Sequence, residues 1–336
     1  METLQKVFFE HIKNKLPANL SLVDSVADIL NISNDSAYRR IRGEKPISFE
    51  EILILANHFK ISVDKVLELK SDMGTFSGKY IHEESFNFEM YMATMQKEFE
   101  YMNSFKENEI IYLSKDIPVF HFFAFPEIAA FKYFIWMKTV LNFNNLSNEK
   151  FALDYFIEPI HKYGEKVIQQ YNKIPGTEIM SIDNINTTLR QIEYFKETYN
   201  FKSDIDLNTL YEKLHIVTDH LESQAKLGKK FLPNQKQNEN AASYKLYVND
   251  YIIGDNSIMV ILNGHKISYQ VHSHLNYIII DEKQHTDYVY HHIQNIIKRS
   301  ILVSEVGEKY RSRFFHLIHD RIDQCQQNKM ELIGKL

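Results

Sequence analysis

Residues 21–43 read SLVDSVADILNISNDSAYRRIRG, and this stretch decides how the N-terminal part of the chain folds. Ser21 and Ser33 each stand directly before an amphipathic run, where a serine side chain caps a helix. The small residue Ala27 lies where two helices would cross closely. Asn31 lies in the short segment between them, and asparagine tolerates a left-handed backbone better than most residues. The stretch therefore predicts two short helices joined by a tight turn.

The quoted stretch resembles the helix-turn-helix of the Cro/C1-type repressor family, and residues 46–67 are similar to the fourth and fifth helices of that family. The resemblance covers residues 3–69 and implies a five-helix DNA-binding module over residues 1–70. The chain departs from the family pattern at Asn31, where glycine is usual, and at Arg40, where an apolar residue is common.

The resemblance also implies which side chains meet DNA. In that family the second helix of the motif lies in the major groove, with its N-terminal residues at base edges. Matched by position, Asn34, Asp35 and Arg39 are the candidates for reading bases, since these side chains pair with adenine, cytosine and guanine respectively. Residues 1–70 carry ten basic and ten acidic side chains, so their positive charge is local. The candidates for phosphate contacts, which position a protein without reading sequence, are Tyr38, Arg40, Arg42 and Lys45.

The composition is that of a globular chain with a slightly acidic balance. Hydrophobic residues make up 44% of the 336 residues and charged residues 25%, which excludes wholesale disorder. The formal net charge of −5 argues against nonspecific coating of nucleic acid. The single cysteine, Cys325, excludes an intramolecular disulfide framework and favours a reducing, cytoplasmic location. Charged side chains interrupt the apolar residues 117–141, which therefore predict a buried core segment rather than a membrane span.

A linker and a long helix are expected next. Residues 71–84 contain glycine, serine and aspartate and predict a linker. Residues 86–106 predict a helix whose apolar side chains are spaced alternately four and three apart. This spacing is typical of a short coiled-coil seam, so these side chains either hold a dimer together or pack against their own domain. The candidate dimerisation residues are Phe88, Met92, Met95, Phe99 and Met102.

The rest of the chain predicts helices first and strands later. Residues 85–231 indicate a helical domain for dimerisation or sensing, in which the phenylalanines of residues 120–125 form core or line an apolar pocket. After an Asn- and Gln-rich segment, residues 243–330 indicate an α+β region, and the pair Asn263 and Gly264 is a strong hairpin signal. The expected fold class is mainly α: a repressor-like head, a large helical region and a small antiparallel sheet near the C-terminus.

Motifs that would indicate an enzyme are scarce. The chain lacks a dinucleotide fingerprint, a phosphate-binding loop, a zinc-protease motif and a nucleophile elbow, and no cofactor is expected. His316 and His319 have a spacing that lets two helical side chains share a metal ion, but no further ligand completes a recognisable signature. We therefore expect neither catalysis nor a metal site.

These patterns predict a sequence-specific, DNA-binding transcriptional regulator that binds double-stranded DNA as a homodimer. Its large C-terminal region would serve dimerisation and the sensing of an effector, either a small molecule or a peptide. Two alternatives stay open. One is a protein-interaction scaffold whose head no longer reads DNA and whose arginines form only a solvated surface. The other is an enzyme with a regulatory DNA-binding head.

Overall fold

The protein divides into two compact units, Met1–Thr75 and Phe76–Leu336. The computed structural model describes residues 3–16, 20–59, 61, 63–66, 77–78, 81, 83–155, 157–233, 235, 240–249, 256–272 and 274–327.

The first unit is helical, and its second and third helices begin at the serine caps that the sequence predicts. The Ser21 hydroxyl accepts a hydrogen bond from the amide of Asp24 at 3.4 Å, and the Ser33 hydroxyl accepts one from the amide of Ser36 at 3.3 Å. Asn31 adopts the left-handed conformation with a φ of 50°. The helices of this unit are α1 (Leu4–Lys15), α2 (Leu22–Leu30), α3 (Asn34–Ile41), α4 (Phe49–Phe59) and α5 (Val63–Val66).

These helices bury one small core. Ala27 of α2 and Ala37 of α3 are both buried, and their small side chains allow the two helices to approach closely. Ser48 and Glu51 form a reciprocal capping box at the start of α4, with the Ser48 amide 3.1 Å from the Glu51 carboxylate. The core of the first unit comprises Phe8, Phe9, Ile12, Val26, Ala27, Ala37, Leu55 and Val66.

The second unit is built on a mixed sheet. Among the described residues the sheet has eight strands in the order β1-β7-β6-β5-β2-β3-β4-β8. The central strands β2, β3 and β4 pair in parallel, and the other neighbouring strands pair antiparallel. The strands are β1 (Ser77–Gly78), β2 (Asn108–Leu113), β3 (Gly176–Met180), β4 (Tyr244–Val248), β5 (Ser257–Leu262), β6 (His265–Val271), β7 (Tyr277–Ile280) and β8 (Ile301–Leu302).

Helical segments connect the parallel strands, as parallel pairing requires, because two parallel strands cannot be joined by a tight turn. Two helical stretches contain π-helical turns, at Trp136–Val140 and at Ile160–Gly164, the second directly after Pro159. The helices of this unit are α6 (Phe88–Asn103), α7 (Val119–Phe122), α8 (Pro126–Ile135), α9 (Ile157–Pro159), α10 (Glu165–Tyr171), α11 (Asn184–Glu197), α12 (Asp204–Leu227), α13 (Lys283–Ile297) and α14 (Glu308–Gln326).

Helices cover both faces of this sheet. Successive side chains of a strand point to opposite faces. On one face Ile110 and Tyr112 of β2 join the large core formed with α6, α8, α10, α11, α12 and α14. On the other face Ile111 and Leu113 pack with Ile293 of α13 in a smaller core. Within the part of the chain that the structure describes, no helix combines the length and apolar character needed to cross a membrane.

The prediction of a mainly α fold with a small antiparallel sheet is wrong. The second unit is an α/β fold whose central strands are parallel. Both β2 and β3 lie within residues 85–231, for which the sequence predicts a helical domain. β3 is fully buried but starts at Gly176 and carries Glu178 at its centre, so it lacks the alternating or apolar pattern that marks a strand.

The predicted division between a helical domain at 85–231 and an α+β region at 243–330 is not present. β2 and β3 precede the Asn- and Gln-rich segment, whereas β4 and β5 follow it, and all four are neighbours in one sheet. Backbone hydrogen bonding across the predicted boundary therefore makes both regions parts of one unit.

The seam of α6 faces its own unit. Phe88, Met92, Met95, Phe99 and Met102 are all at most 9% exposed and belong to the large core. These five side chains therefore cannot serve as the dimer surface for which they were candidates. The heptad-like spacing arose because a helix packed on a sheet needs the same apolar stripe as a helix packed on a second helix.

Several local predictions can be compared directly with the structure. Asn263 and Gly264 form the hairpin turn between β5 and β6, with φ values of 47° and 84°, which confirms the hairpin. β4 ends at Val248, and residues 250–255 lie outside the described residues. Of the predicted linker 71–84, residues 71–76, 79–80 and 82 also lie outside them, while Ser77–Gly78 pairs with β7.

Candidate nucleic-acid interface

The candidate DNA-reading surface is the exposed face of α3. Asn34, Asp35 and Arg39 are exposed, and Tyr38 and Arg42 are exposed on the same side of the helix. These positions follow helical spacing, so their side chains share one face. The opposite side of α3 carries Ala37, which is buried against α2. The predicted base-reading residues therefore share one exposed face of α3.

One side-chain hydrogen bond links the start of α3 to α2. The Asn34 side-chain amide donates to the Asp24 carboxylate at 2.8 Å. This bond connects the first residue of α3 to the first turn of α2 and orients the Asn34 side chain. Asp24 and Asp35 place negative charge near the α3 N-terminus, where the helix dipole stabilises it.

Tyr38 and Arg42 form one stacked pair at the C-terminal end of this face. The Arg42 guanidinium lies 5.5 Å from the centre of the Tyr38 ring and donates to the phenol oxygen at 3.3 Å. Its Nε atom is 3.2 Å from the carboxylate of exposed Glu44. Because all three groups are exposed, a phosphate can compete for this guanidinium at small cost. Lys45 is exposed three residues further along.

Arg40 does not belong to this surface. It is 6% exposed, and its guanidinium makes a two-point contact with the Glu51 carboxylate at 2.7 and 3.0 Å. The same guanidinium donates to the hydroxyl and carbonyl oxygens of Ser36 at 2.7 and 3.1 Å. Its hydrogen bonds are thus used within the first unit, joining α3 to α4. The assignment of Arg40 to a phosphate contact is therefore corrected to a structural role.

Gln5 is a supporting residue that the sequence analysis missed. Its side-chain amide nitrogen donates to the carbonyl oxygens of Arg40 and Lys45, both at 2.7 Å. Its amide oxygen accepts from the Ile47 amide at 3.3 Å. One side chain of α1 thereby holds the loop after α3, the segment that carries Arg42 and Lys45. The signal in the sequence is slight: a lone glutamine beside the apolar stripe of α1.

The second unit contains a buried polar cluster around Glu178. The Glu178 carboxylate accepts hydrogen bonds from His121 Nε2 at 2.7 Å, from the Tyr171 hydroxyl at 2.6 Å and from the Tyr244 hydroxyl at 2.7 Å. The Lys230 ammonium lies 3.6 Å from the centre of the Tyr171 ring. A Cβ at position 176 would lie 2.5 Å from the end of the Lys230 side chain, so any residue larger than Gly176 would require this lysine to move.

The pKa values of this cluster follow from its burial and charges. Burial by itself raises the pKa of Glu178, but the His121 contact, the Lys230 charge and the Tyr171 hydroxyl together lower it to about 2. Burial lowers the pKa of Lys230 to about 7, against the attraction of Glu178. Such shifts also occur in catalytic sites. Here the Glu178 carboxylate accepts three hydrogen bonds from within the cluster, and none of these five residues lines the cavity described next, which favours a structural role.

A cavity of about 380 Å³ lies in the second unit between α6 and the antiparallel strands of the sheet. We call it the α6 cavity. Its size falls in the range of about 300–1,000 Å³ that small-molecule sites occupy. Phe120 lines the cavity, whereas Phe122, Phe123 and Phe125 belong to the surrounding core. The phenylalanine-rich segment therefore contributes both to an apolar pocket and to the core.

Cys325, His316 and His319, the remaining residues considered for chemistry, do not form a reactive or three-ligand metal site among the described residues. Burial raises the pKa of the Cys325 thiol to about 12, so it carries a proton at neutral pH. His319 stacks on His215 with 2.6 Å between their Nδ1 atoms, and His316 lies 3.5 Å from Asp320. A search of the described residues for three or more metal-ligating side chains in one place finds no such group.

The comparisons with known proteins return nothing for this chain: no family model, no curated protein and no solved structure matches it.

Proposed function

We propose that this protein is a sequence-specific, DNA-binding transcriptional regulator. One observation carries the proposal: α2 and α3 form a capped, closely crossing helix pair whose exposed α3 face presents Asn34, Asp35 and Arg39 together. An exposed polar helix on a rigid helical support is the arrangement that enters a major groove. Tyr38, Arg42 and Lys45 flank this face and are the candidates for phosphate contacts.

The resemblance to Cro/C1-type repressors supports the same function, with α3 in the role of the recognition helix. In this proposal the protein acts in the cytoplasm without a cofactor, and the second unit provides dimerisation and effector sensing. The alternative of an enzyme receives no support from the Glu178 cluster, since none of its five residues lines the α6 cavity. The scaffold alternative is decided by the DNA-binding experiment below.

Arg39→Ala is expected to weaken binding to the specific DNA site by about 1–3 kcal/mol, the usual value of one good base contact. Arg42→Ala should weaken binding to specific and random DNA alike and reduce the salt dependence, because a phosphate contact releases counterions. The measurement is a gel-shift titration on a genomic fragment and on random DNA at several salt concentrations.

Arg190→Ala, at an exposed position of α11 in the second unit, is the matched control and should change neither affinity. Equal losses for Arg39→Ala on specific and random DNA would contradict the base-reading assignment. If no genomic fragment is retained by the wild-type protein, the scaffold alternative is favoured instead.

The homodimer is a further part of the proposal. Helix-turn-helix readers commonly bind two half-sites about 10 base pairs apart, which suits a two-fold symmetric protein. We expect light scattering to give the mass of two chains. Because the α6 seam is buried, Met95→Asp should destabilise the second unit rather than release folded monomers. A wild-type protein that is monomeric at micromolar concentration, with and without DNA, would disprove the dimer.

A further inference from the structure

Helices α12 and α14 of the second unit pack against each other, and two histidines meet at their contact. His215 of α12 and His319 of α14 have rings that are parallel to within 5°, with centres 5.0 Å apart. Their Nδ1 atoms are 2.6 Å apart in hydrogen-bond geometry, so the two nitrogens point at each other. The two side chains are 27% and 24% exposed, so water and small ions reach the pair from the solvent.

The other nitrogen of each ring faces a carboxylate of the opposite helix. His215 Nε2 is 3.2 Å from Asp323, and His319 Nε2 is 3.1 Å from Asp219. Because an ionised carboxylate only accepts hydrogen bonds, both Nε2 atoms carry a proton and donate it. A neutral imidazole protonated at Nε2 has its lone pair on Nδ1. Two lone pairs therefore converge across 2.6 Å, and a positively charged species between them removes their repulsion.

A proton and a divalent metal ion are the two candidates for this position, and the charge of the group favours the metal. With neutral rings, the two histidines and the two aspartates together carry two negative charges. A shared proton cancels one of these charges, whereas a divalent ion cancels both. A metal-ligating histidine also commonly donates its second ring N–H to a carboxylate, as both rings do here.

The separation of the two nitrogens requires a small adjustment to hold a metal. Bonds of about 2.0–2.1 Å to a tetrahedral Zn²⁺ place two nitrogen ligands about 3.3 Å apart. The χ2 torsion of histidine is soft, so rings that are partly exposed can separate by the missing distance of about 0.7 Å. Among the described residues no group of three or more ligating side chains forms, so water supplies the remaining ligands. A site with so few protein ligands binds its ion reversibly.

We propose that His215 and His319 bind a divalent transition-metal ion through their Nδ1 atoms, with Asp323 and Asp219 orienting the rings. Imidazole is a good ligand for Zn²⁺, Cu²⁺ and Ni²⁺. The bound ion connects α12 to α14 and thereby stabilises the folded second unit. Binding depends on these four side chains alone. Any effect of the ion on DNA affinity rests on the function proposed above.

The first experiment titrates the metal-free full chain with Zn²⁺ in a calorimeter and follows thermal unfolding at each Zn²⁺ concentration. We expect saturable binding and a melting temperature that rises with Zn²⁺, because the ion binds the folded chain better than the unfolded chain. His215→Asn and His319→Asn should each weaken the affinity at least about tenfold, since even a carboxylate behind a ligand contributes that much. His316→Asn is the matched control and should change nothing, because His316 pairs with Asp320 on the same helix and is 77% exposed.

The aspartates test the orientation of the rings. Asp219→Ala and Asp323→Ala should each weaken Zn²⁺ binding by about 10–100-fold, the usual effect of removing a carboxylate that orients a metal ligand. These side chains are 68% and 54% exposed, so their removal leaves the core of the unit intact. Asp320→Ala is the matched control on α14 and should leave the affinity unchanged. A melting curve without metal verifies that each variant is folded.

The outcomes separate the metal site from the regulator function. Absence of saturable Zn²⁺ binding by the wild type, or wild-type affinity in both ligand variants, would overturn the proposal. An equal loss in His316→Asn would place the ion elsewhere and overturn it as well. If the ligand variants do not fold, the aspartate variants decide, and an unchanged affinity in both rejects the site. If Zn²⁺ binds as expected but gel shifts detect no DNA binding, the metal site stands and the regulator function fails.

Discussion

Replacing Glu178 by leucine is expected to lower the free energy of unfolding of the second unit by about 3–5 kcal/mol, the usual cost of breaking a buried ion pair. The change removes the acceptor of three hydrogen bonds, from His121, Tyr171 and Tyr244. It also removes the carboxylate that stabilises the charged form of Lys230 against burial, so the lysine must lose its proton to stay buried. Trp136 is the single tryptophan of the chain and is buried in this unit, so its fluorescence reports the unfolding transition.

The double variant Glu178→Leu/Lys230→Met separates the contribution of charge to the stability of the cluster from the contribution of packing. Methionine has a similar length and needs no counter-charge, so we expect the double variant to regain part of the lost stability. Glu197→Leu, at an exposed position of α11, is the matched control and should stay within about 0.5 kcal/mol of the wild type. A loss below about 1 kcal/mol for Glu178→Leu, or no recovery in the double variant, would contradict this account of the cluster.

Because folding lowers the pKa of Glu178, part of the free energy of unfolding of the second unit depends on pH. The pKa falls from the ordinary value of 4.5 to about 2 on folding, so the unfolded chain binds the proton more readily. The contribution is therefore complete above about pH 4.5 and is lost as the pH falls toward 2. We expect the stability of the double variant to fall less steeply over this range than that of the wild type.

Arg40→Ala is expected to lower the free energy of unfolding of the first unit by about 3 kcal/mol and therefore to lower its melting temperature. A domain of this size has a total stability of only about 4–10 kcal/mol, so such a loss removes a large share of it and lowers the temperature at which DNA binding is lost. The physical reason is that Glu51, partly buried beside α3, loses both hydrogen bonds from the guanidinium. The measurement is thermal unfolding of the fragment of residues 1–75, which contains a core of its own.

Two controls separate this structural effect from a lost DNA contact. Lys13→Ala breaks an exposed ion pair with Glu10 and should cost less than about 0.5 kcal/mol. Arg39→Ala should weaken DNA binding without shifting the melting temperature of the fragment. If Arg40→Ala leaves the melting temperature unchanged but weakens DNA binding, the guanidinium contacts DNA and the correction of its role is wrong.

The limits of prediction from sequence are visible in individual residues. Arg40 and Arg42 are alike in sequence, both in a basic run after Ala37, yet one is buried and the other exposed. Their difference depends on Glu51, which lies eleven positions from Arg40 and approaches it only when α4 packs on α3. Likewise, the seam of α6 fits a dimer and a self-packed helix equally well, because an apolar stripe does not specify its partner.

The amino-acid sequence by itself determined the local structures: the serine caps, the left-handed turn at Asn31, the hairpin at Asn263 and Gly264, and the exposed polar stripe of α3. These depend on backbone preferences and on hydrogen bonds between residues a few positions apart. Only the tertiary structure decided that β3 is the centre of a parallel sheet, that Glu178 is buried there and that α6 encloses a cavity. Parallel pairing joins residues about 60–70 positions apart, so no local sequence pattern shows which strands pair. For the same reason, no local pattern shows which groups surround a buried charge.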